Sequence, residues 1–560
     1  MRTYALASLA SFVAAVALAC GGDGGSDVAP PPVGTPDAEP PTEGGAPSCG
    51  ASVMVRPGTV TTTGGAFTGA LAGESYAFRG IPFAAPPTGD RRFRAPAPIA
   101  CVDNERTATV FGSVCPQWRD GAVVGDEDCL TLNVWTPKAY REGEKRPVLV
   151  FVHGGAHVQG ASSQTTAGGD VLYDGQRFTE KSGAVVVTIN YRLGPFGFLA
   201  HPALTAGDAN KSSGNYGMLD QIAALKWVKE NVSRFGGDPS RVLVFGESAG
   251  AVSVCRLVVS PLAEGLFSAA LLESGACVAT PLAKAEQHGA TVAKAAACDA
   301  APDVAACLRQ VPAKTLAETT PENVDISAFG GTGYDGVVDG WAIPAAPLDL
   351  VKAGKHQHVP IAIGNNSAET GIAAPQIGSE AQYESAVDAL LSPLGGKTLV
   401  DAALAQYPAD DYLTPRAAYV ALTSDAKFVC TARRAARTFA SAQTEPVYRF
   451  VFSHVAENAG ATLKAIGATH GSELPFVFGN VYLTTQAGRY QPTPGDLAVV
   501  DAFNGYWSRF AASGDPNGAN ALAWGRYDAA SDADLRFAAP LVAETGHRAK
   551  QCDFWDALTP

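Results

Sequence analysis

A serine stands between two glycines in Gly246-Glu247-Ser248-Ala249-Gly250, where an apolar, β-branched run, "VLVF", gives way to small helix-compatible residues. In a strand-to-helix turn a G-x-S-x-G pattern lifts the serine hydroxyl clear of the sheet, and the flanking glycines avoid side-chain collisions where the backbone doubles back on itself. The chemistry open to such a serine is nucleophilic attack. A hydroxyl is a weak nucleophile at neutral pH, so it needs a base within hydrogen-bond reach and a carboxylate to orient that base. The same residues also fit a plain glycine-rich connection whose serine caps the helix. The pentapeptide alone does not separate the two.

The rest of the chain offers the partners. Six histidines follow Ser248, and His470 stands out in "GATHGSELPFVFG", a Gly-flanked loop downstream of an apolar run that ends near Ser453. For the acid, Glu369 in "IGNNSAETG" lies just past the run at 359–363, where a loop can aim it at an imidazole. His288, His356, His358, His454 and His547 read as surface or structural histidines. Acyl transfer also requires N–H donors for the oxyanion of a tetrahedral intermediate, and losing one donor typically costs about a hundredfold to a thousandfold in rate. "FVHGGAHVQG" supplies free backbone N–H groups at Gly155 and Ala156, with Ala249, after the serine, as a third.

These residues need a scaffold that brings distant loops to one place. Short apolar runs recur at 147, 184, 241, 268, 359 and 446, each bounded by Gly, Pro or Asn, and they read as buried strands. Helical patterns lie between them, such as "MLDQIAALKWVKENVSRF", with an apolar stripe of Leu219, Ile222, Leu225, Trp227 and Val228. Alternation of this kind implies an α/β fold with a mostly parallel sheet covered on both faces. Ligands bind such sheets beyond the carboxyl ends of the strands, which is where the serine, the glutamate and the histidine stand. Residues from about 280 to 335 and from about 380 to 440 read as helical segments capping that edge.

The 560 residues allow one large domain or several smaller ones, and the formal net charge of -13 with no Lys/Arg run argues against a nucleic-acid partner. "MRTYALASLASFVAAVALAC" reads as an export signal, too short and Ala-rich for a membrane span. Its "ALAC" resembles a bacterial lipobox, which makes Cys20 the candidate for lipidation and membrane tethering, against an ordinary signal peptide cut nearby. Residues 21–48 are rich in Gly, Pro, Asp and Glu and read as a tether, leaving 49–560 as the folded part. Eleven cysteines in an exported chain suggest disulfides, and setting aside Cys20 leaves an even ten.

From about residue 52 onward the chain resembles the type-B carboxylesterase family, which includes the cholinesterases and has the α/β-hydrolase fold. The marks occur in order: "FRGIPFAAPPTGDRRFRAPAP", "EDCLTLNVWTP", "VFVHGGAHVQG", "NYRLGPFGFL", the long segment from Gly214 through "FGESAGAVSV", "VVDGWAIP", "THGSELPFVFG" and "CDFWD". The resemblance implies a serine ester hydrolase with a triad of Ser248, Glu369 and His470, in the Ser-acid-His order of that fold, and an oxyanion hole of Gly155, Ala156 and Ala249. It implies no metal and no organic cofactor, and a small-molecule carboxylic ester as partner. A lipase for long-chain esters is the nearer alternative, and a non-catalytic adhesion domain the more distant one.

Two places depart from the family pattern: Ala156 replaces a common third glycine, and "SAETG" stands where Asp-Glu-Gly is common. Asp339 in "VVDG" is the runner-up acid. The resemblance also implies disulfides Cys115–Cys129, Cys298–Cys307 and Cys430–Cys552. Cys49–Cys101 and Cys255–Cys277 remain as pairs, with a buried free thiol as the alternative for Cys255. The loop from Cys115 to Cys129 contains Trp118 but is too short to support choline specificity.

Overall fold

The six apolar runs all become strands of one eleven-stranded sheet. The computed structural model describes residues 57–558 apart from 120, 322–323, 329–330 and 486–487. The expected signal, tether, Cys20 and Cys49 lie outside the described residues. In chain order the strands are β1 (Ala70–Ala72), β2 (Ser75–Pro82), β3 (Thr131–Pro137), β4 (Arg146–Val152), β5 (Val185–Ile189), β6 (Gly237–Glu247), β7 (Ala269–Glu273), β8 (Ile361–Asn366), β9 (Val447–Phe452), β10 (Ala533–Phe537) and β11 (Val542–Thr545). Across the sheet they run β11-β10-β9-β8-β7-β6-β4-β5-β3-β2-β1. Pairing is parallel from β5 to β10 and antiparallel at the two ends.

The burial pattern explains why these runs lack polar alternation. Successive residues point to opposite faces, and both faces are covered. Val148, Val150 and Val152 of β4 enter one core with Val185, Val187, Val242 and Val244, while Leu149 and Phe151 enter the other with Leu243 and Phe245. The second core is closed by helix Pro494–Ser513, whose Phe503 ring stacks 4.2 Å from Phe537.

Helix α1 (Tyr216–Asn231) buries all five residues of its expected apolar stripe, and it also buries Asp220 and Gln221. It is a core helix rather than an amphipathic surface one. Asp220 survives there because Arg192 donates to both of its carboxylate oxygens at 2.7 Å. Helix α2 (Ala249–Val259) follows the serine directly.

By internal packing the described residues form two units, one of 375–422 and the other of 57–374 with 423–558. The smaller segment contains helix Glu380–Gln406, broken at Gly395 and Gly396, and Tyr383 donates to Tyr407 O at 2.6 Å within it. In the larger unit the segment from 280 to 335 is helical at Leu282–Ala295, Val304–Gln310 and Ala313–Ala317.

Disulfides join Cys115 to Cys129, Cys255 to Cys277, Cys298 to Cys307 and Cys430 to Cys552. The free thiol considered for Cys255 is thereby corrected: its sulfur bonds that of Cys277. Cys101 is disulfide-bonded as well.

Candidate active site

Strand β6 ends at Glu247 and α2 begins at Ala249, so Ser248 alone makes the turn. Its backbone sits at φ 57 and ψ -123, a conformation that a residue other than glycine occupies at a cost of order 1–3 kcal/mol. Packing enforces it. A Cβ on Gly250 would stand 2.0 Å from Val152 O, and one on Gly246 2.7 Å from the same atom. Ser248 N donates to Glu273 O at 2.8 Å, which ties the turn to the end of β7. Ser248 occupies the N-cap position of α2, yet its side chain makes no capping hydrogen bond. The capping account of this serine therefore fails.

Glu369 and His470 leave neighbouring strands. β8 and β9 pair in parallel with Asn366 opposite Phe452, and the loops beyond them meet. His470 N donates to Glu369 O at 3.0 Å, Ala368 N to Ala468 O at 2.9 Å, and Asn366 Nδ2 to Thr469 O at 2.7 Å. Glu369 is wholly buried; its Oε1 accepts from Asn366 N and its Oε2 lies 2.7 Å from His470 Nδ1. A carboxylate in that position selects the tautomer with a proton on Nδ1 and leaves Nε2 for other work.

Nε2 is buried and makes no hydrogen bond among the described residues, although Glu247 Oε1 stands 3.2 Å away. That contact is close enough for an ion pair but is not aligned as a hydrogen bond. The serine–histidine bond that nucleophile activation requires is not formed in this structure, and unliganded sites commonly tighten only around substrate.

A cluster of buried acids surrounds the imidazole. Burial alone would pull the His470 pKa down, but the charges of Glu247 and Glu369 outweigh it and push it up to about 9. Glu247 is pushed up to about 7, chiefly by burial, with His470 opposing the rise. Glu473 rises to about 8 through burial and the nearby Glu247 and Glu369 charges, and Glu273 also rises through burial and Glu473. Trp507 Nε1 donates to Glu273 Oε1 at 2.9 Å, and Asn366 Nδ2 donates to Glu473. Sequence reasoning missed Glu247, Glu273 and Glu473. The available signal was an acid next to an elbow serine, another in "LLESG" and a third in "THGSELP".

The loop after β4 holds the proposed oxyanion donors. Gly155 has φ 108 and Ala156 φ 53, and a Cβ on Gly155 would stand 2.0 Å from Gln159 O. Both flanking histidines pin this loop. The His153 ring stacks 4.4 Å from Tyr191, whose hydroxyl donates to His153 O at 2.7 Å. His157 Nε2 lies 2.9 Å from Ser253 Oγ and its Nδ1 3.0 Å from Asp335. Among the described residues no hydrogen bond takes the N–H of Gly155, Ala156 or Ala249.

The runner-up acid is elsewhere. Asp339 accepts from Trp341 N and Ile343 N at 3.0 and 2.9 Å, which closes its own turn, and from Ser212 Oγ and Asn215 Nδ2 at 2.5 and 2.9 Å, which ties that turn to the segment before α1. His454 is buried against Asp496 at 2.7 Å, and His356 stacks on His358 at 4.6 Å, so these histidines are structural.

Comparison with known proteins agrees with this architecture. Residues 56–555 match the carboxylesterase family model. The fumonisin B1 esterase of Sphingopyxis macrogoltabida is 35% identical over 478 residues, 83% of this chain and 84% of that protein. The human cocaine esterase is 34% identical over 524 residues, covering 86% of this chain and 87% of its own. The para-nitrobenzyl esterase of Bacillus subtilis (strain 168) is 33% identical over 482 residues, covering 84% and 92%. With a mostly parallel sheet of this order and these relatives, the chain belongs to the carboxylesterase family and is a carboxylic ester hydrolase.

Proposed function

We propose that the chain hydrolyses small-molecule carboxylic esters through an acyl-enzyme on Ser248. The observation that carries this reading is the buried Glu369 carboxylate 2.7 Å from His470 Nδ1, with both loops stitched together by backbone bonds. Ser248 Oγ attacks the ester carbonyl carbon while His470 Nε2 takes its proton. The carbonyl oxygen becomes an oxyanion facing the N–H groups of Gly155, Ala156 and Ala249. The C–O bond then breaks, and the proton on His470 goes to the departing alcohol. Water repeats the sequence on the acyl-enzyme, releasing the acid and restoring Ser248. Glu369 fixes the tautomer and stabilises the imidazolium in both halves.

The chain is further proposed to be exported through its first twenty residues and tethered by lipid on Cys20. Four disulfides are the support for an oxidising compartment, and no helix among the described residues is long and apolar enough to cross a membrane.

The test is hydrolysis of p-nitrophenyl esters of increasing acyl length by wild type and Ser248→Ala. Loss of activity in the variant is expected, and equal rates would overturn the nucleophile assignment. A short-chain optimum identifies a carboxylesterase, and a long-chain optimum the lipase reading.

A further inference from the structure

A cavity of about 690 Å³ lies behind the loop that carries His470, and neither Ser248, Glu369, His470 nor any proposed oxyanion donor lines it. Its wall is largely aliphatic and aromatic: Leu463, Ala468, Phe476, Val481 and Leu483. A cavity of this size, mostly apolar with few polar groups, suits a small organic ligand. Leu463 is 52% exposed, which leaves an apolar side chain at the opening facing water.

Two polar features stand out against that wall. Ser472 Oγ is buried, lines the cavity and has no hydrogen-bond partner among the described residues. An unpartnered buried hydroxyl is costly, and a ligand acceptor would relieve it. Arg489 is the only Arg or Lys in the lining, and the lining contains no carboxylate, in a chain whose net charge is -13. Arg489 Nε donates to Tyr482 O at 3.1 Å, which fixes the guanidinium, while its Nη groups make no hydrogen bond or ion pair among the described residues. Asp170, whose charge Arg489 partly offsets, lies outside the lining and accepts from Thr484 N at 2.6 Å.

We propose that this cavity binds a medium-chain aliphatic monocarboxylate, its chain against Leu463, Phe476 and Val481 and its carboxylate on Arg489. This is the class of acid that hydrolysis of an aliphatic ester releases. The site stands on its own residues and holds whether or not Ser248 is the nucleophile. Its inner wall is the segment Ala468–Thr469, whose carbonyls hold Ala368 N and Asn366 Nδ2, so an occupant touches the backbone that carries the Glu369–His470 pair.

The experiment is isothermal titration of decanoate, butyrate and decan-1-ol into the full chain carrying Ser248→Ala, alone and with Leu463→Glu or Arg489→Glu added. Both added positions are exposed and outside the catalytic machinery, so each substitution in the wild-type background should leave p-nitrophenyl acetate hydrolysis unchanged. One saturable class of decanoate sites is expected, weakened at least about tenfold by either substitution, with decanol affected by Leu463→Glu only and butyrate binding more weakly than decanoate. Decanoate binding that survives both substitutions, or butyrate binding as tightly as decanoate, or no saturable binding, would overturn the proposal.

Discussion

Glu247 Oε1 stands 3.2 Å from His470 Nε2, across the ring from the nitrogen that Glu369 Oε2 holds at 2.7 Å. The imidazole thus lies between two carboxylates, and one of them belongs to the residue directly before Ser248. A proton on Nε2 is stabilised from both sides, yet it must leave before this nitrogen can act as a base.

The ester hydrolysis rate should therefore climb with pH toward the value of about 9 to which Glu247 and Glu369, against burial, raise His470. Glu247→Gln removes one of the two charges and should lower the midpoint of the rise by about one pH unit. The pH profile of kcat/KM on a soluble short-chain ester reads it directly. An unmoved midpoint would mean that His470 does not sense Glu247.

Stability should slope the other way. Burial lifts Glu247 to about 7 and Glu473 to about 8, so between the ordinary carboxylate range and those values the folded chain keeps protons that the unfolded chain has released. His470, raised to about 9, adds a contribution that is full below its ordinary value and is lost as pH rises through 9. Unfolding free energy should thus fall from about pH 5 to about pH 9, with Glu247→Gln flattening the slope. Urea melts at several pH values test this, and a flat or rising profile would contradict it.

Replacing Glu369 by Gln keeps the shape but loses the charge that stabilises the imidazolium. The expected drop in kcat is on the order of 10⁴, with KM little changed. Asp339→Asn, at a carboxylate that closes a turn and ties it to Ser212 and Asn215, should instead lower the melting temperature and leave kcat close to wild type.

Ala156 holds φ 53, where an alanine is strained and a glycine is not. Ala156→Gly keeps the N–H and should stabilise the chain by up to about 1 kcal/mol, relief of strain exceeding the added chain entropy. Ester turnover should stay within a few fold. A destabilised variant would show that the methyl group makes compensating contacts.

Asp220 and Arg192 form a buried bidentate pair with side chains 0% and 2% exposed. Asp220→Ala strands the guanidinium and should cost about 3–5 kcal/mol, whereas Asp220→Leu with Arg192→Met should recover much of the loss. Chemical denaturation of the single and double variants decides between the two outcomes.

The strands and the elbow were legible because their signals are local. Apolar runs closed by Gly, Pro or Asn mark strands, and Gly246 and Gly250 mark a turn that side chains would block. Glu369 was reachable from its place just past a strand run, and His470 from its Gly-flanked loop downstream of the last one. The acid cluster was not, because its character comes from burial: Glu247, Glu273 and Glu473 are ordinary acids in the sequence and become proton holders only when β6, β7 and the His470 loop enclose them. Helix α1 misled for the same reason. Its periodicity describes one buried face, and only tertiary packing reveals that Asp220 on the other face is buried too. The cavity beside Arg489 arises where the His470 loop meets a hairpin at Thr484–Thr485 and Gly488–Arg489, and no periodicity announces such a meeting.

The backbone bonds from His470 N to Glu369 O and from Ala368 N to Ala468 O make the two loops a single module. Anyone transplanting catalytic loops among such proteins would have to move both together, since either one alone would arrive without half of its hydrogen-bond ladder. The Glu247 elbow shares none of these bonds, yet its charge reaches His470, so it would have to travel with the module for the imidazole to keep its setting.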